Sequence, residues 1–150
     1  MITEGRFLED VKVGEALGPL TRRPTEVTLF RFSAVTWNAH RIHYDLPHAE
    51  SEGYPGVLVQ GMLHGAYFVQ LVTHWMGKDS VLEEIGWQNR RPAFAGDELV
   101  LKGTVVVVDL QSRRVTIDLE EFVREELATR GRAVVRMAKE TRSVSEGSRS

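Results

Sequence analysis

The spacing of apolar residues divides the chain into a helical first half and a strand-rich second half. In "VLVQGMLHGAYFVQLVTHWMGK", residues 57–78, apolar side chains recur at helical spacing and form a wide stripe. The stripe consists of Tyr67, Phe68, Leu71, Val72, Trp75 and Met76, and Val69 widens it. This pattern predicts a long helix, with Gly77 as the glycine that ends it. A helix with so wide an apolar face has to be covered by the rest of the protein.

Two shorter helices are predicted upstream of the long one. Thr25 is a suitable N-cap, and the apolar residues after it recur at helical spacing, which predicts a helix from residue 25 to about residue 36. Asp45 as a cap and Pro47 in the first turn predict a second, short helix, followed by a Gly- and Pro-rich loop. Before both, the Gly- and Pro-rich residues favour an extended arm with at most one short strand, around residues 11–17.

Apolar and polar residues alternate with a period of two after the long helix. The alternation covers residues 81–91, 97–110, 112–125 and 127–140. Residue types that favour turns occur at residues 96–97, 109–112 and 129–131. At least three and as many as four antiparallel strands are therefore predicted.

A long apolar helix followed by two-faced strands predicts an α+β fold in which an antiparallel sheet wraps around the central helix. We expect one domain over residues 1–140 and a small, polar, disordered tail over residues 141–150. A small curved sheet leaves an edge strand without a partner. Pairing the edges of two copies would cover it, so a homodimer or a larger homo-oligomer is expected.

Composition excludes several classes of function. A net charge of −2 without a dense Lys/Arg cluster argues against nucleic-acid and membrane partners. The chain has no cysteine, which excludes disulfides and thiolate metal ligands. Acidic residues near the start argue against a secretory signal, and no apolar run reaches the roughly 20 residues of a membrane span. We expect a cytoplasmic protein.

The segment "TWNAHRIHYD", between the two short predicted helices, concentrates groups that can carry chemistry. His43 can exchange a proton near neutral pH, and the Asn38 amide can orient a water or a carbonyl. A metal site formed by His40 and His43 with Asp45 or His48 is an alternative, but the H-E-x-x-H pattern is absent. A third alternative is a polar turn whose histidines bind only the backbone.

The segment "VQGMLHG" is a second candidate, at the predicted start of the long helix. Gly61 would let a ligand approach the backbone, where the N–H groups of a helix N-terminus have no partner inside the helix. Such donors stabilise the oxygen of a thioester when negative charge develops on it. Alternatively, Gly61 and Gly65 only permit a tight turn or close packing.

Three segments together resemble the MaoC-like acyl-thioester hydratases and dehydratases of hot-dog fold. They are "FSAVTWNAHRIHYDLPHA", "GYPGVLVQGMLHGAYFVQL" and "RRPAFAGDEL", and the resemblance covers roughly residues 10–108. It is strongest for the type 2 hydroxyacyl-thioester dehydratase and mesaconyl-CoA hydratase branch. The resemblance implies a cofactor-free hydro-lyase that interconverts 2-enoyl and 3-hydroxyacyl thioesters with R specificity. Its substrate would be carried by CoA or by acyl-carrier protein.

Site residues follow from the resemblance position by position. His43 falls on the catalytic histidine of the family, Asn38 on its catalytic aspartate, and Gly61 on the glycine whose N–H faces the thioester oxygen. His43 would then act as general acid/base, Asn38 would orient water, and His40 or Asp45 could supply a proton relay. Residues 94–97 match the block that borders the acyl tunnel, with Ala95 in place of its proline. Expected substrate contacts are Trp37, His40, Arg41, Gln60, Met62, Leu63 and Phe94.

Two other functions stay open at this stage. A hot-dog acyl-CoA thioesterase would need a carboxylate on or next to the central helix, and the sequence has no Asp or Glu between Gln60 and Lys78. A partly degenerate subunit of a heteromeric dehydratase is the other possibility. Asn38 in place of an acid could mark such a loss of activity.

Overall fold

A computed structural model describes residues 6–140 of the chain, and both the first five residues and the predicted tail lie outside it. The strands are β1 (Ala16–Arg22), β2 (Val81–Asn89), β3 (Leu99–Asp109), β4 (Arg114–Val123) and β5 (Glu126–Arg136), and the helices are α1 (Glu26–Thr36), α2 (Leu46–Ser51) and α3 (Gly61–Trp75). Short 3-10 turns cover Leu8–Asp10 and Arg41–His43. The predicted α+β class is confirmed.

The five strands form one antiparallel sheet in the order β1-β3-β4-β5-β2. Helix α3 contacts β3 in the sheet and also β1 and β2, which are the two edge strands. Because contact with both edges requires the sheet to curve, the predicted wrapping of the sheet around the long helix is confirmed. Phe68 and Val72 of α3 are completely buried in the resulting core.

Alternation along β4 shows how the sequence selects the inward face. The odd-numbered positions of this strand from residue 115 to residue 123 are buried, and the positions between them are partly exposed. Four of the five inward residues are apolar, as burial without a polar partner requires. The fifth is Glu121, whose contacts are described below.

The two short helices begin at the predicted N-cap residues. The Thr25 side chain accepts a hydrogen bond from the Thr28 N–H, and the Thr28 hydroxyl accepts one from the Thr25 N–H, so α1 begins with a reciprocal capping box. Asp45 caps α2 by accepting from the His48 N–H, and Pro47 lies in the first turn. Both short helices therefore agree with the prediction.

The long helix starts within the predicted segment but ends differently from its prediction. Leu58 forms a bridge with Phe94 and the cap residue Gln60 has an extended backbone, so α3 begins at Gly61. At the other end, Met76 caps the helix with an ordinary φ of −72°, and Gly77 is not left-handed. Gly77 is needed for another reason, because a Cβ there would collide with the carbonyl oxygen of Arg6.

Two predictions about the strands are wrong. The first strand covers Ala16–Arg22 instead of residues 11–17, because it continues past Pro19 through an irregularity in its pairing with β3. A proline inside the strand is tolerated because β1 is an edge strand. In addition, Pro19 lies at the irregularity, where no backbone N–H has to donate to the neighbouring strand.

The second error concerns the last turn. Residues 129–131 lie inside β5, and the chain reverses instead at Arg124 and Glu125, whose φ angles are 51° and 64°. Positive φ at both central residues is the requirement of a type I′ hairpin turn. Gly131 is required by packing, since a Cβ would lie 2.7 Å from the Gly86 carbonyl oxygen. Within residues 6–140, no helix is long and apolar enough to cross a lipid bilayer.

Candidate active site

His43 lies in the short 3-10 turn that follows α1, and only 9% of the residue is exposed. Its Nδ1 is 2.8 Å from the backbone carbonyl oxygen of Leu58. Since a carbonyl oxygen can only accept a hydrogen bond, Nδ1 carries the ring proton. The neutral ring therefore keeps its lone pair on Nε2, which can accept a proton from a bound molecule.

Leu58 is held against the same turn by a second bond. Its N–H donates to the carbonyl oxygen of Ile42 at 2.9 Å, and Leu58 also pairs with Phe94 across an isolated bridge. The three sequence segments that carry the family resemblance therefore meet at Leu58. Rotation of the His43 ring is restricted because its hydrogen-bond partner is fixed by two further contacts.

Burial lowers the pKa of His43 below its ordinary value of 6.5. The Leu58 carbonyl opposes this shift because it favours the protonated ring, and the neighbouring His40 adds to the lowering. The two rings lie 5.9 Å apart between centroids. At neutral pH His43 is thus the uncharged imidazole, which is the form that acts as a general base.

Asn38 follows the last turn of α1, where Trp37 takes a left-handed conformation with a φ of 54°. The Asn38 Oδ1 accepts a hydrogen bond from the His40 N–H at 3.2 Å. One lone pair of the amide oxygen is therefore in use, and no hydrogen bond within residues 6–140 uses the Nδ2, which is left to donate. A donor suits a water oxygen or a hydroxyl oxygen, but an amide cannot take up the proton that an aspartate in its place would accept.

Asp45 does not lie free as a proton relay. Its Oδ2 accepts from the Arg41 guanidinium, with Nε at 2.8 Å, and its Oδ1 caps α2. The hydrogen bond from Arg41 is the main reason that the pKa of Asp45 lies below its ordinary range. His48 pairs with Glu52 at 2.9 Å, and no cluster of three metal-ligating side chains occurs in the part of the chain that the structure describes.

Gly61 is the first residue of α3. None of the hydrogen bonds among residues 6–140 uses its N–H, and the side chain of the cap residue Gln60 makes no capping bond to the helix. The Gly61 carbonyl accepts from the Trp87 indole at 3.0 Å. A Cβ on Gly61 would lie 2.8 Å from the Asn89 Nδ2, so any larger residue would require the Asn89 side chain to move. The result is an N–H donor at the positive end of a helix dipole.

The expected substrate contacts fall into an exposed group and a buried group. Trp37 is 93% exposed and Met62 63%. Trp37 and Asn38 line an open cleft of about 450 Å³ together with Phe30, Ser33, Ala34, Ala39 and Tyr44. Gln60 and Leu63 are buried instead, and Gln60 joins α3 to α1 by donating to the Leu29 carbonyl and to Ser33. Substrate contact by any of these residues stays a prediction.

A larger cleft, of about 580 Å³, lies away from His43. Arg23 and Arg124 line it, but Glu98 and Asp97 pair with them at 3.0 and 3.6 Å. Its lining contains three basic residues and three acidic ones, so this cleft has no surplus positive charge for an anionic ligand. Of the predicted catalytic residues, Asn38 lines the smaller cleft, whereas His43 and Gly61 are not part of its lining.

The structure also contains a buried polar contact that the sequence motifs did not indicate. Glu121 of β4 lies against α3, with its Oε1 2.6 Å from the His64 Nδ1. A carboxylate next to the central helix is what a thioesterase would need, although Glu121 is fully buried and faces no cleft. The period-two pattern of β4 could have identified it, because it places Glu121 on the same face as Ile117 and Leu119.

Comparison with known proteins gives the family. The model of hydroxyacyl-thioester dehydratase type 2 matches residues 15–95. The mesaconyl-C(4)-CoA hydratase of Chloroflexus aurantiacus is 54% identical over 72 residues, which are 47% of this chain and 25% of that relative. The matched segment thus spans only a quarter of the length of the curated relative.

Solved structures agree on the fold. An R-hydratase from Pseudomonas aeruginosa superposes with a TM-score of 0.83 at 21% identity, over 96% of this chain and 95% of its own. An (R)-hydratase from A. caviae gives 0.81 at 24% identity, over 86% and 98%. The predicted hot-dog fold and the predicted resemblance are both confirmed. Since the family match covers more than half of the chain, the protein belongs to the type 2 hydroxyacyl-thioester dehydratase family.

Proposed function

We propose that the protein is a hydro-lyase that adds water reversibly to a 2-enoyl thioester and forms the 3-hydroxyacyl thioester. The observation that supports this most directly is the His43 ring, buried, neutral and held through Nδ1 so that Nε2 is the basic atom. Family membership points to the same reaction class. The N–H of Gly61, three residues after the carbonyl that holds His43, supplies a donor for a developing oxyanion.

The proposed hydration uses His43 in both proton steps. Nε2 removes a proton from water as the water oxygen bonds to the β-carbon, and the electron pair of the double bond moves onto the thioester oxygen. The Gly61 N–H and the N-terminus of α3 stabilise that oxygen. The protonated His43 then returns the proton to the α-carbon, and the ring is neutral again.

Asn38 takes the position of water holder in this mechanism. Its Oδ1 is occupied by the His40 N–H, so Nδ2 is the group that donates to the water oxygen. A donor in this place positions the water without competing with His43 for its proton. Asp45 has both oxygens in use, which supports a mechanism with His43 as the single acid/base group.

The acyl group and its carrier are part of the proposal. We expect a CoA or acyl-carrier-protein thioester and an R-configured product. The relative's name makes a mesaconyl thioester worth testing beside straight-chain substrates. Trp37 and Met62, both exposed beside the cleft and the start of α3, are the side chains we expect to contact the acyl thioester.

The test is hydration by the purified chain with no partner protein added. Loss of the enoyl-thioester absorbance is followed with crotonyl-CoA, longer enoyl-CoAs and a mesaconyl thioester, and chiral analysis identifies the product. His43→Gln replaces the ring with an amide that cannot accept a proton, so hydration should fall by a factor of about 10² to 10⁴. An unchanged rate in this variant would contradict the role of His43.

The same assay separates the alternatives. Release of free CoA thiol without formation of a hydroxyacyl product would favour a thioesterase. No turnover with any substrate would favour a subunit that needs a catalytic partner, which is the alternative that Asn38 raises. The cytoplasmic location and the homo-oligomer also stay predictions.

A further inference from the structure

The buried carboxylate of Glu121 is a costly feature. The residue is completely buried on the inward face of β4, and its Oε2 is enclosed without a hydrogen-bond partner. Its Oε1 lies 2.6 Å from the His64 Nδ1 and 3.1 Å from the Thr129 hydroxyl. Burying a carboxylate is unfavourable unless it is well paired, and an apolar residue of similar volume is often at least as stable. Core stability alone therefore gives no reason for a glutamate here.

The contacts of Glu121 lead to the first turn of α3. His64 lies three residues after Gly61 in that turn and is 2% exposed. Thr129 also contacts the Asn89 Oδ1 at 3.2 Å, and the other end of the Asn89 amide lies against Gly61. Glu121 thus reaches Gly61 by two routes, one through His64 and one through Thr129 and Asn89.

Trp87 completes the enclosure of this turn. Its indole N–H donates to the Gly61 carbonyl at 3.0 Å, and its ring lies where a Cβ of Gly65 would be. The Gly61 carbonyl and α-carbon are therefore fixed by contacts from β2, while β4 and β5 hold the turn through polar groups. None of these contacts uses the Gly61 N–H as a hydrogen-bond donor.

We propose that Glu121 is a positioning residue that sets the orientation of the Gly61 N–H donor through His64 and through Thr129 and Asn89. Hydrogen bonds to an ionised carboxylate are stronger than neutral ones, and they fix direction as well as distance, which apolar packing does not. The inference extends the proposed hydratase function, because the donor that Glu121 orients is the one assigned to the thioester oxygen.

Two variants test the network, and a third variant is the matched control. Glu121→Gln keeps the shape of the side chain and removes its charge, whereas Thr129→Val keeps its shape and removes only the hydroxyl link. Val115→Ala is the control, since Val115 is also fully buried on the inward face of β4, six residues from Glu121. It removes buried volume at a distance from α3's first turn.

If Glu121 is a positioning residue, its replacement should lower kcat and leave KM almost unchanged. Glu121→Gln should lower kcat about tenfold and change KM less than twofold, because misplacing a transition-state donor costs a part of the roughly 10² to 10³ lost when such a donor is removed. Thr129→Val, which breaks one of the two routes, should lower kcat about threefold by the same reasoning. Val115→Ala should lower Tm and leave kcat unchanged.

A spectroscopic measurement tests the same inference without turnover. In protein labelled with ¹⁵N-glycine, the Gly61 amide signal should shift in Glu121→Gln and in Thr129→Val but not in Val115→Ala. If both variants keep the wild-type kcat and the wild-type Gly61 signal, the positioning role is wrong and the network is only structural. If Glu121→Gln does not fold, Thr129→Val decides alone. A wild-type protein without hydratase activity would refute the proposed function, and the Gly61 signal would still decide the positioning role.

Discussion

At the residue scale, the structure turns a list of candidate groups into defined chemical states. The sequence indicated His43 as a proton carrier but not which nitrogen would carry the proton. The Leu58 carbonyl answers this, because it forces the proton onto Nδ1. In the same way, the bond from the His40 N–H identifies the Asn38 Oδ1 as an acceptor and leaves its Nδ2 to donate. Both facts depend on backbone atoms, whose positions no motif reports.

The shifted pKa of His43 has a consequence for catalysis. Burial lowers the pKa, so the ring stays neutral when the pH falls somewhat below 6.5. The acidic limb of the pH profile of kcat/KM should therefore have its midpoint below 6.5. His40→Gln should keep this limb, and His43→Gln should lose it together with the activity. A limb centred above 6.5 in the wild type would contradict the assignment.

The same shift has a defined sign for stability. Because the pKa is lower in the folded protein than in the unfolded chain, the unfolded chain binds more protons as the pH falls. The contribution of His43 to the free energy of unfolding is thus complete above pH 6.5 and declines as the pH falls below that value. Denaturant unfolding should show the wild type losing stability relative to His43→Gln on acidification, and a constant difference across pH would contradict this expectation.

At the element scale, local patterns predicted the helices well and one turn badly. Caps such as Thr25 and Asp45 act through bonds to residues three positions away, so the sequence contains the whole interaction. The hairpin between β4 and β5 gave no such signal, since Arg124 and Glu125 are not typical of a turn with positive φ. Pairing of two long strands determines that turn, against the local preference of its residues.

This conflict makes the turn a site for stabilisation. Replacing Arg124 and Glu125 with Asn and Gly should raise the free energy of unfolding by about 1 kcal/mol, because these residues tolerate positive φ. The exposed pair between Arg124 and Asp97 adds little that would be lost. The matched control replaces both residues with alanine, which also removes both charged groups but does not tolerate positive φ. Equal thermal stability of the two double variants would contradict this explanation.

At the scale of the whole molecule, the sheet order leaves β1 and β2 as edges. An unpaired edge exposes backbone donors and acceptors, which a second copy can satisfy. We therefore predict a homodimer, with a mass in solution of about twice the 16.9 kDa of the chain. Size-exclusion chromatography with light scattering over a range of dilutions measures this directly. A monomer at every concentration would refute the dimer.

The sequence by itself determined the helices, their apolar faces, the α+β class and the three segments that carry the family resemblance. These depend on periodicity, caps and motif residues close together in the chain. Tertiary structure alone decided that the three segments meet at Leu58, that Asp45 is occupied, and that Glu121 lies against α3. The physical reason is separation along the chain: His64 and Glu121 are 57 residues apart. Only the register of the folded sheet and the position of the central helix bring such groups within hydrogen-bond distance.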